Sequence, residues 1–388
     1  MNEPMRQFLN FLAVAEFAQT VLLVFILFVM NKNKKANLFF SGFIIILSLN
    51  FFTIYLFNLN LKTATLISAI ISLPGISLTG VFIYFYVLFM TGIIEKIEWK
   101  HAIHLIVYLA DFLFSASMAY RLKELPPESA LIRQTVFIIF TIGFINSISY
   151  IIYTIFILKK YYRKIENYYS DLERMSFRWL LKITMLSFTI LTFWCVDFWF
   201  SHLGTMPKSP MGLALNIILL IIIIFITSYY LINQPEIFKR NVEMNHEIED
   251  PDNPPGAEKY ARQSIDDEMQ DEYLVKLNTF MNDHKPYLDE NITIKDLAEG
   301  VKIPSHHLSI VINNRLNKNF YTFINEYRIK EAAAILDDPE NFEASIIAIA
   351  FRSGFNSKST FNSVFKKIMG QTPSEYRNRN ILRSELAS

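Results

Sequence analysis

The sequence predicts an all-α protein, a seven-helix transmembrane domain followed by a cytoplasmic domain built on two helix-turn-helix motifs. Three observations predict it. Long apolar stretches recur before residue 235 and stop there, a run of acidic residues and prolines follows, and the remainder reads as short amphipathic helices. With 52% hydrophobic residues and 35 Phe among 388, the chain is more apolar than a soluble fold requires. A single cysteine, Cys195, excludes an internal disulfide and a cysteine-based zinc site.

Residues 8–30 are almost continuously apolar, and a helix of about 20 residues crosses a bilayer core of about 30 Å. A cleaved signal peptide is the competing reading. Its apolar region would be too long, the preceding segment has only Arg6 against Glu3, and Ala13-Val14-Ala15 comes too early for a cleavage site. Similar stretches at 38–59, 66–92, 101–120, 134–158, 179–204 and 212–233 bring the expected spans to seven, with Pro74-Gly75 interrupting the third. Turn-forming or polar residues separate them, including Pro126-Pro127 and Pro207-Lys208-Ser209-Pro210.

Lysine and arginine set the orientation. One side collects Lys32, Lys34, Lys35, Lys96, Lys100, Lys159, Lys160, Arg163, Lys164, Arg174, Arg178, Lys239 and Arg240; the other has only Arg6, Lys62, Arg121, Lys123, Arg133 and Lys208. The positive-inside rule puts the first group in the cytoplasm. The N-terminus is then outside and the C-terminus inside.

From 241 to 272 acidic residues dominate, with Pro251, Pro254, Pro255 and Gly256 among them. Such a stretch is expected to be a solvated linker, and its charge could alternatively compete with a polyanion for a basic face. The expected division is 1–235 transmembrane, 236–271 linker, 272–380 two-motif domain and 381–388 tail. Within the third part, Tyr273, Leu274, Leu277, Phe280 and Met281 space out as an entry helix. Pro304 suits the opening of a helix. Phe320 to Leu336 is a long amphipathic helix of about 25 Å at 1.5 Å per residue.

Gly354 suits the tight turn of a helix-turn-helix, and Phe355 can pin the loop to a core. Phe361, Val364, Phe365 and Ile368 then give one apolar stripe, leaving Lys358, Ser359, Asn362, Ser363 and Lys366 outward. The run Gly354-Phe355, Ser359-Thr360-Phe361, Phe365-Lys366-Lys367, Gly370, Thr372-Pro373 and Tyr376-Arg377 closely resembles the second helix-turn-helix of AraC-type bacterial transcription regulators. Ile292 to Glu299 with Ser305-His306-His307-Leu308-Ser309 resembles the family's first motif, and Tyr327 to Ala332 its linking helix. The resemblance covers roughly 272–380. Lys302, Pro304 and Ile310 stand where the family commonly has Gly, Ser and Arg.

The resemblance implies double-stranded DNA as partner, with Lys358, Ser359, Asn362, Ser363, Lys366, His306 and Ser309 on the faces that meet it, and Phe355, Phe361, Phe365, Leu308, Ile349 and Tyr376 in the core. A spacer near 25 Å can set two recognition helices about one DNA turn, 34 Å, apart. A DNA-binding domain also has to be cytoplasmic, which agrees with the charge rule. From residue 344 onward seven Lys or Arg oppose two Glu, so phosphate neutralisation is expected at the second motif and its flanks.

Within the spans, Glu16, Asp111 and Asp197 are candidates for sensing a small molecule or a membrane signal, because ionisable groups at such depth are costly. Hydrogen-bonded packing is the alternative for each. Phe193, Trp194, Phe198 and Trp199 could line an apolar ligand site or face lipid. His306-His307 does not suit a metal, since adjacent helical residues diverge. No cofactor motif or catalytic constellation is visible, so the chain is not expected to be an enzyme. The expectation is therefore a one-component regulator in the bacterial cytoplasmic membrane, multi-pass, acting as a homodimer on repeated sites. A transporter with a helix-turn-helix tail is the rival, and proteolytic release of the DNA-binding part a variant.

Overall fold

The computed structural model describes residues 3–122, 129–170, 178–202, 210–232 and 265–387, and they fold as helices. The chain divides into two units, Met1–Leu158 with Phe177–Glu247, and Lys159–Ser176 with Ile248–Ser388.

The first unit holds α1 (Glu3–Val29), α2 (Lys34–Asn58), α3 (Lys62–Met90), α4 (Ile106–Leu122, after a 3-10 turn over Trp99–Leu105), most of α5 (Ala130–Glu166), α6 (Arg178–His202) and α7 (Pro210–Ile232). Among the described residues, six helices are long and apolar enough to cross a membrane: Glu3–Val29, Lys34–Asn58, Lys62–Met90, Trp99–Ala119, Ala130–Glu166 and Pro210–Ile232. In α6 the apolar stretch, Leu180–Val196, is shorter. Helix α1 packs on α2 and α7, α2 on α3, α3 on α4, and α6 on α7.

Pro74 does not interrupt the third helix, contrary to expectation; α3 continues through it to Met90. Polar side chains take up the carbonyls around the break. Ser77 Oγ donates to Pro74 O (2.7 Å), and Thr79 Oγ1 to Ile76 O (2.8 Å). From α5, Ser147 Oγ donates to Ile76 O (2.5 Å) and Asn146 Nδ2 to Ser77 O (2.8 Å). Ser147 Oγ also accepts from Gly80 N (3.2 Å), so a hydroxyl is inserted into the α3 ladder. A Cβ at Gly80 would lie 2.6 Å from Ser147 Cα, so only glycine permits this approach.

In the second unit α8 (Asp267–His284) is capped by Asp266, whose side chain accepts from Met269 N (2.8 Å). It leads to α9 (Ile294–Val301), α10 (Ser305–Leu316), α11 (Phe320–Asp337), α12 (Ile346–Arg352), α13 (Lys358–Met369) and α14 (Pro373–Ala387). Most of the stretch read as a linker, up to residue 264, lies outside the described residues, and its end is already in α8. Two cores form. The first gathers Leu277, Leu297, Leu308 and Ile312 around Phe320 and Ile324; the second gathers Ile349, Phe355, Phe361 and Phe365 around Ile329 and Leu336. Helix α11 thus supplies one end of its apolar surface to each motif, which is what makes it a spacer rather than a free rod. Lys159–Ser176 belongs to this unit, an assignment the sequence analysis did not anticipate.

Candidate nucleic-acid interface

The second motif is local turn chemistry carried out in order. Ser345 caps α12 by accepting from Ala348 N (3.1 Å), and Ser353 Oγ closes its end onto Ile349 O (2.5 Å). Gly354 takes φ +88°, and Phe355 is buried behind it. Ser357 then caps α13 through Thr360 N (3.3 Å), and Gly370 ends it at φ +74°. Thr372 and Glu375 reciprocate across the start of α14, Thr372 N donating to Glu375 Oε2 (2.7 Å) and Glu375 N to Thr372 Oγ1 (3.3 Å). The bond from Thr372 holds the Glu375 carboxyl below its ordinary value.

Phe361, Val364 and Phe365 are buried, so α13 has one inner face. Ile368, expected to complete that stripe, is 41% exposed, with Met369 packing against the core instead. At the last turn the helix axis has carried position 368 past the core, and Gly370 then redirects the chain. Lys358, Ser359, Ser363 and Lys366 are exposed and Asn362 half-buried, one stripe at helical spacing opposite the core. Ser363 Oγ donates back to Thr360 O (3.0 Å), and Ser357 and Ser359 hydroxyls lie 2.9 Å apart. Lys367 is exposed next to Lys366 and belongs to the same basic end.

Not all of the cationic residues counted in the sequence face outward. Arg377 Nη1 donates to Ala344 O (2.8 Å) and Phe342 O (3.4 Å), and Arg352 Nη1 to Asn341 Oδ1 (2.7 Å). Arg377 is therefore engaged in closing the loop before α12. No local pattern distinguishes an arginine that binds its own carbonyls from one that binds phosphate.

In the first motif, Thr293 and Asp296 form a capping box at the start of α9, with Thr293 N donating to Asp296 Oδ2 (2.9 Å). The helix ends at Lys302, which holds φ +59°. A left-handed conformation costs a residue with a Cβ roughly 1–2 kcal/mol, and glycine's extra chain entropy offsets about 0.5–1 kcal/mol of that. Lys302→Gly is accordingly expected to stabilise the second unit by roughly 0.5–1 kcal/mol, read as a raised denaturation midpoint; an unchanged or lowered midpoint would show the strain is absent.

Pro304 immediately precedes α10, as its fixed φ suggests. On α10 His306 is exposed, while Ser309 and Ile310 are half-buried. Asn313 Nδ2 donates to Ser309 O (2.8 Å) and Oγ (3.3 Å). His307 stacks on Tyr273 at 5.9 Å, and burial, then the neighbouring His306, pushes its pKa down. Arg315, in the last turn of α10, is met by Asp267 Oδ1 (2.8 Å) and Asp271 Oδ1 (3.0 Å) from α8. The acidic residues nearest this motif thus already pair with a cation of its second helix.

The membrane-depth candidates separate. Glu16 is fully buried and accepts from Thr20 Oγ1 (3.0 Å) and, across to α2, Ser48 Oγ (2.8 Å). Asp111 on α4 is buried with its Oδ2 unpartnered among the described residues. No hydrogen bond among the described residues joins the two. The side chain of Asp197 lies outside the described residues. Of the aromatic residues, Phe193 and Trp194 line a pocket of about 120 Å³ with Leu47, Phe51, Asn216 and Leu220, whereas Phe198 stacks on Phe140 at 3.9 Å.

Residues 297–379 match the family described as Helix-turn-helix domain. Over 89 residues, 23% of this chain, the sequence is 34% identical to the melibiose operon regulatory protein of Escherichia coli (strain K12), of which it covers 28%. An uncharacterized HTH-type transcriptional regulator of Bacillus subtilis (strain 168) is 30% identical over 91 residues, 24% of this chain and 30% of that protein. One of Staphylococcus aureus (strain COL) is 30% identical over 102 residues, 26% of this chain and 13% of that protein. The chain thus spans less than a third of the length of these relatives. No solved structure matches significantly.

Proposed function

Because its residues 297–379 are an AraC-type helix-turn-helix domain, we propose that this chain is a membrane-bound one-component transcription regulator. The carrying observation is the outward stripe of Lys358, Ser359, Asn362, Ser363 and Lys366 on a helix fixed by a buried inner face, in a chain whose described residues also include six membrane-length helices. Lysine, serine and asparagine side chains can donate to phosphates and base edges in a major groove. His306 and Ser309 contribute from the first motif, and α11 sets the separation. The apolar half, with α6 as a seventh span, sits in the bacterial cytoplasmic membrane with its N-terminus outside. Its domains are 1–235 for sensing, 236–271 as linker and 272–380 for DNA, and two copies act together on repeated sites. Glu16, Asp111 and Asp197 are its candidate sensing groups. A signal acts by binding one arrangement of the helices better than another.

The test is binding of the full chain in lipid nanodiscs to genomic fragments, including its own promoter region, across a salt series. Salt-dependent binding with preference for a discrete site is expected. Lys358→Ala or Asn362→Ala should weaken binding to that site by about 1–3 kcal/mol while leaving random DNA nearly unaffected. Binding without sequence preference at any salt would remove the regulator reading, and equal loss on both DNAs would reassign these side chains to backbone contact.

A further inference from the structure

The loop preceding α9 is held by a piece of chain from far upstream. Ser170 Oγ donates to Ile292 O (2.7 Å), 122 residues away in sequence, and Ile294 N donates to Tyr168 O (3.0 Å). Tyr169 and Thr293 form an antiparallel bridge, the one strand-like pairing among the described residues. Tyr168 packs against the first core, and Tyr169 and Ser170 are buried. Two side chains, one in α11 and one capping it, complete the seat. Arg328 Nη2 donates to Ser170 Oγ (3.2 Å), and Asn319 Nδ2 to Glu166 Oε2 (3.0 Å). Asn319 is the residue whose Oδ1 caps α11, so the last residue of α5 holds the start of the spacer.

We propose that the face formed by Ile292–Ile294, Asn319 and Arg328 is a docking surface whose partner is the chain's own segment Glu166–Ser170, and that this contact carries the membrane signal to the DNA-binding motifs. The inference rests on the regulator reading and assigns its route. By chain order, Glu166–Ser170 lies between the fifth and sixth apolar helices, so the domain is attached at two places along the sequence, here and through residues 233–264. Glu166–Ser170 engages the loop where both motifs meet. Tyr287 O in that loop accepts from Arg328 Nε (2.8 Å), Asp289 O accepts from Arg328 Nη2 (2.7 Å), and a Cβ at Gly354 of the second motif would lie 3.0 Å from Leu288 Cα. A shift of Ser170 therefore displaces the Ile292 carbonyl before α9 and the Arg328 guanidinium of α11, and with them the loop that Gly354 of the second motif closely approaches. The recognition faces of α10 and α13 take no part in the described contacts of Tyr168–Ser170, so the device acts on the spacing of the motifs rather than by covering them.

The experiment is a cysteine pair, Tyr169→Cys with Thr293→Cys, in a full-length Cys195→Ser chain in nanodiscs. Bridge partners sit about 4.5–5.5 Å apart between Cα atoms, within the range a disulfide accepts. Mild oxidation should give an intrachain disulfide, and the oxidised and reduced forms should differ several-fold in affinity for the site selected in the DNA-binding experiment. Thiols that both label with maleimide yet never join would overturn the docking, and a disulfide-linked dimer would replace it with docking between copies. A disulfide that forms without changing DNA affinity would overturn the transmission. The reduced chain reads DNA binding by itself, so failure of the regulator reading shows separately as no site preference in either form.

Discussion

Gly354→Ala is expected to destabilise the second unit by about 2–5 kcal/mol, the sum of a left-handed penalty near 1–2 kcal/mol and an overpacking cost of about 1–3 kcal/mol. The position needs glycine for two separate reasons. Its φ is +88°, and an added methyl would press on the carbonyl oxygen of Tyr287 and lie 3.0 Å from Leu288 Cα, backbone atoms that cannot swing aside. The comparison variant is Gly370→Ala, also at positive φ (+74°) but with nothing within 4 Å of the added Cβ. It should lose only the conformational part, about 1 kcal/mol. Urea titration of the detergent-solubilised chain, followed by limited proteolysis within 265–387, separates them. Equal midpoints for the two variants would mean that the close approach of the motifs is not present in solution.

The contrast between these glycines marks what the sequence could say. Gly354 was legible as a turn and Pro304 as a helix start, because turn chemistry is local, whereas Gly370 was named only within the family pattern. The apolar stripes of α11 and α13 were legible for the same reason, since a period of 3.6 residues is written in adjacent turns. Even so, Ile368 fell off its stripe where the helix outran the core. Pro74 suggested a broken span on local grounds, whereas the helix continues, and the donors that reach Ile76 O and Ser77 O beyond it come from Ser147 and Asn146, some seventy positions on. Glu16 shows both kinds of information in one group. Its bond from Thr20 is an i, i+4 relation visible on the page, while the one from Ser48 depends on how α2 lies against α1. The docking of Tyr168–Ser170 had no local sign at all. Lys159 to Lys164 read as the charged edge of a span, and nothing periodic links Ser170 to Ile292.

Arg328 is the residue whose importance follows from that non-local packing, and its loss is expected to be the most costly single polar change in the second unit. It is 2% exposed, and its guanidinium donates to Tyr287 O, Asp289 O, Ser170 Oγ and, at 3.5 Å, Asn325 Oδ1. The ring of Phe355 lies 5.7 Å from its central carbon, adding a cation–π contact. A buried charge is tolerated only when its donors are used, and here the fork supplies them in a fixed plane. Arg328→Ala takes the arginine donor from the Tyr287 carbonyl, leaves Asp289 O with only the longer bond from Ile292 N (3.4 Å), and opens a void beneath Phe355, a loss of about 3–5 kcal/mol by the usual cost of unsatisfied groups and cavities. Arg328→Lys tests whether charge or geometry matters. A lysine keeps the charge but cannot hold Tyr287 O and Asp289 O with two planar donors, so it should recover less than half of the loss. Full recovery by lysine, measured by the same urea and proteolysis assay, would make the charge itself the stabilising feature.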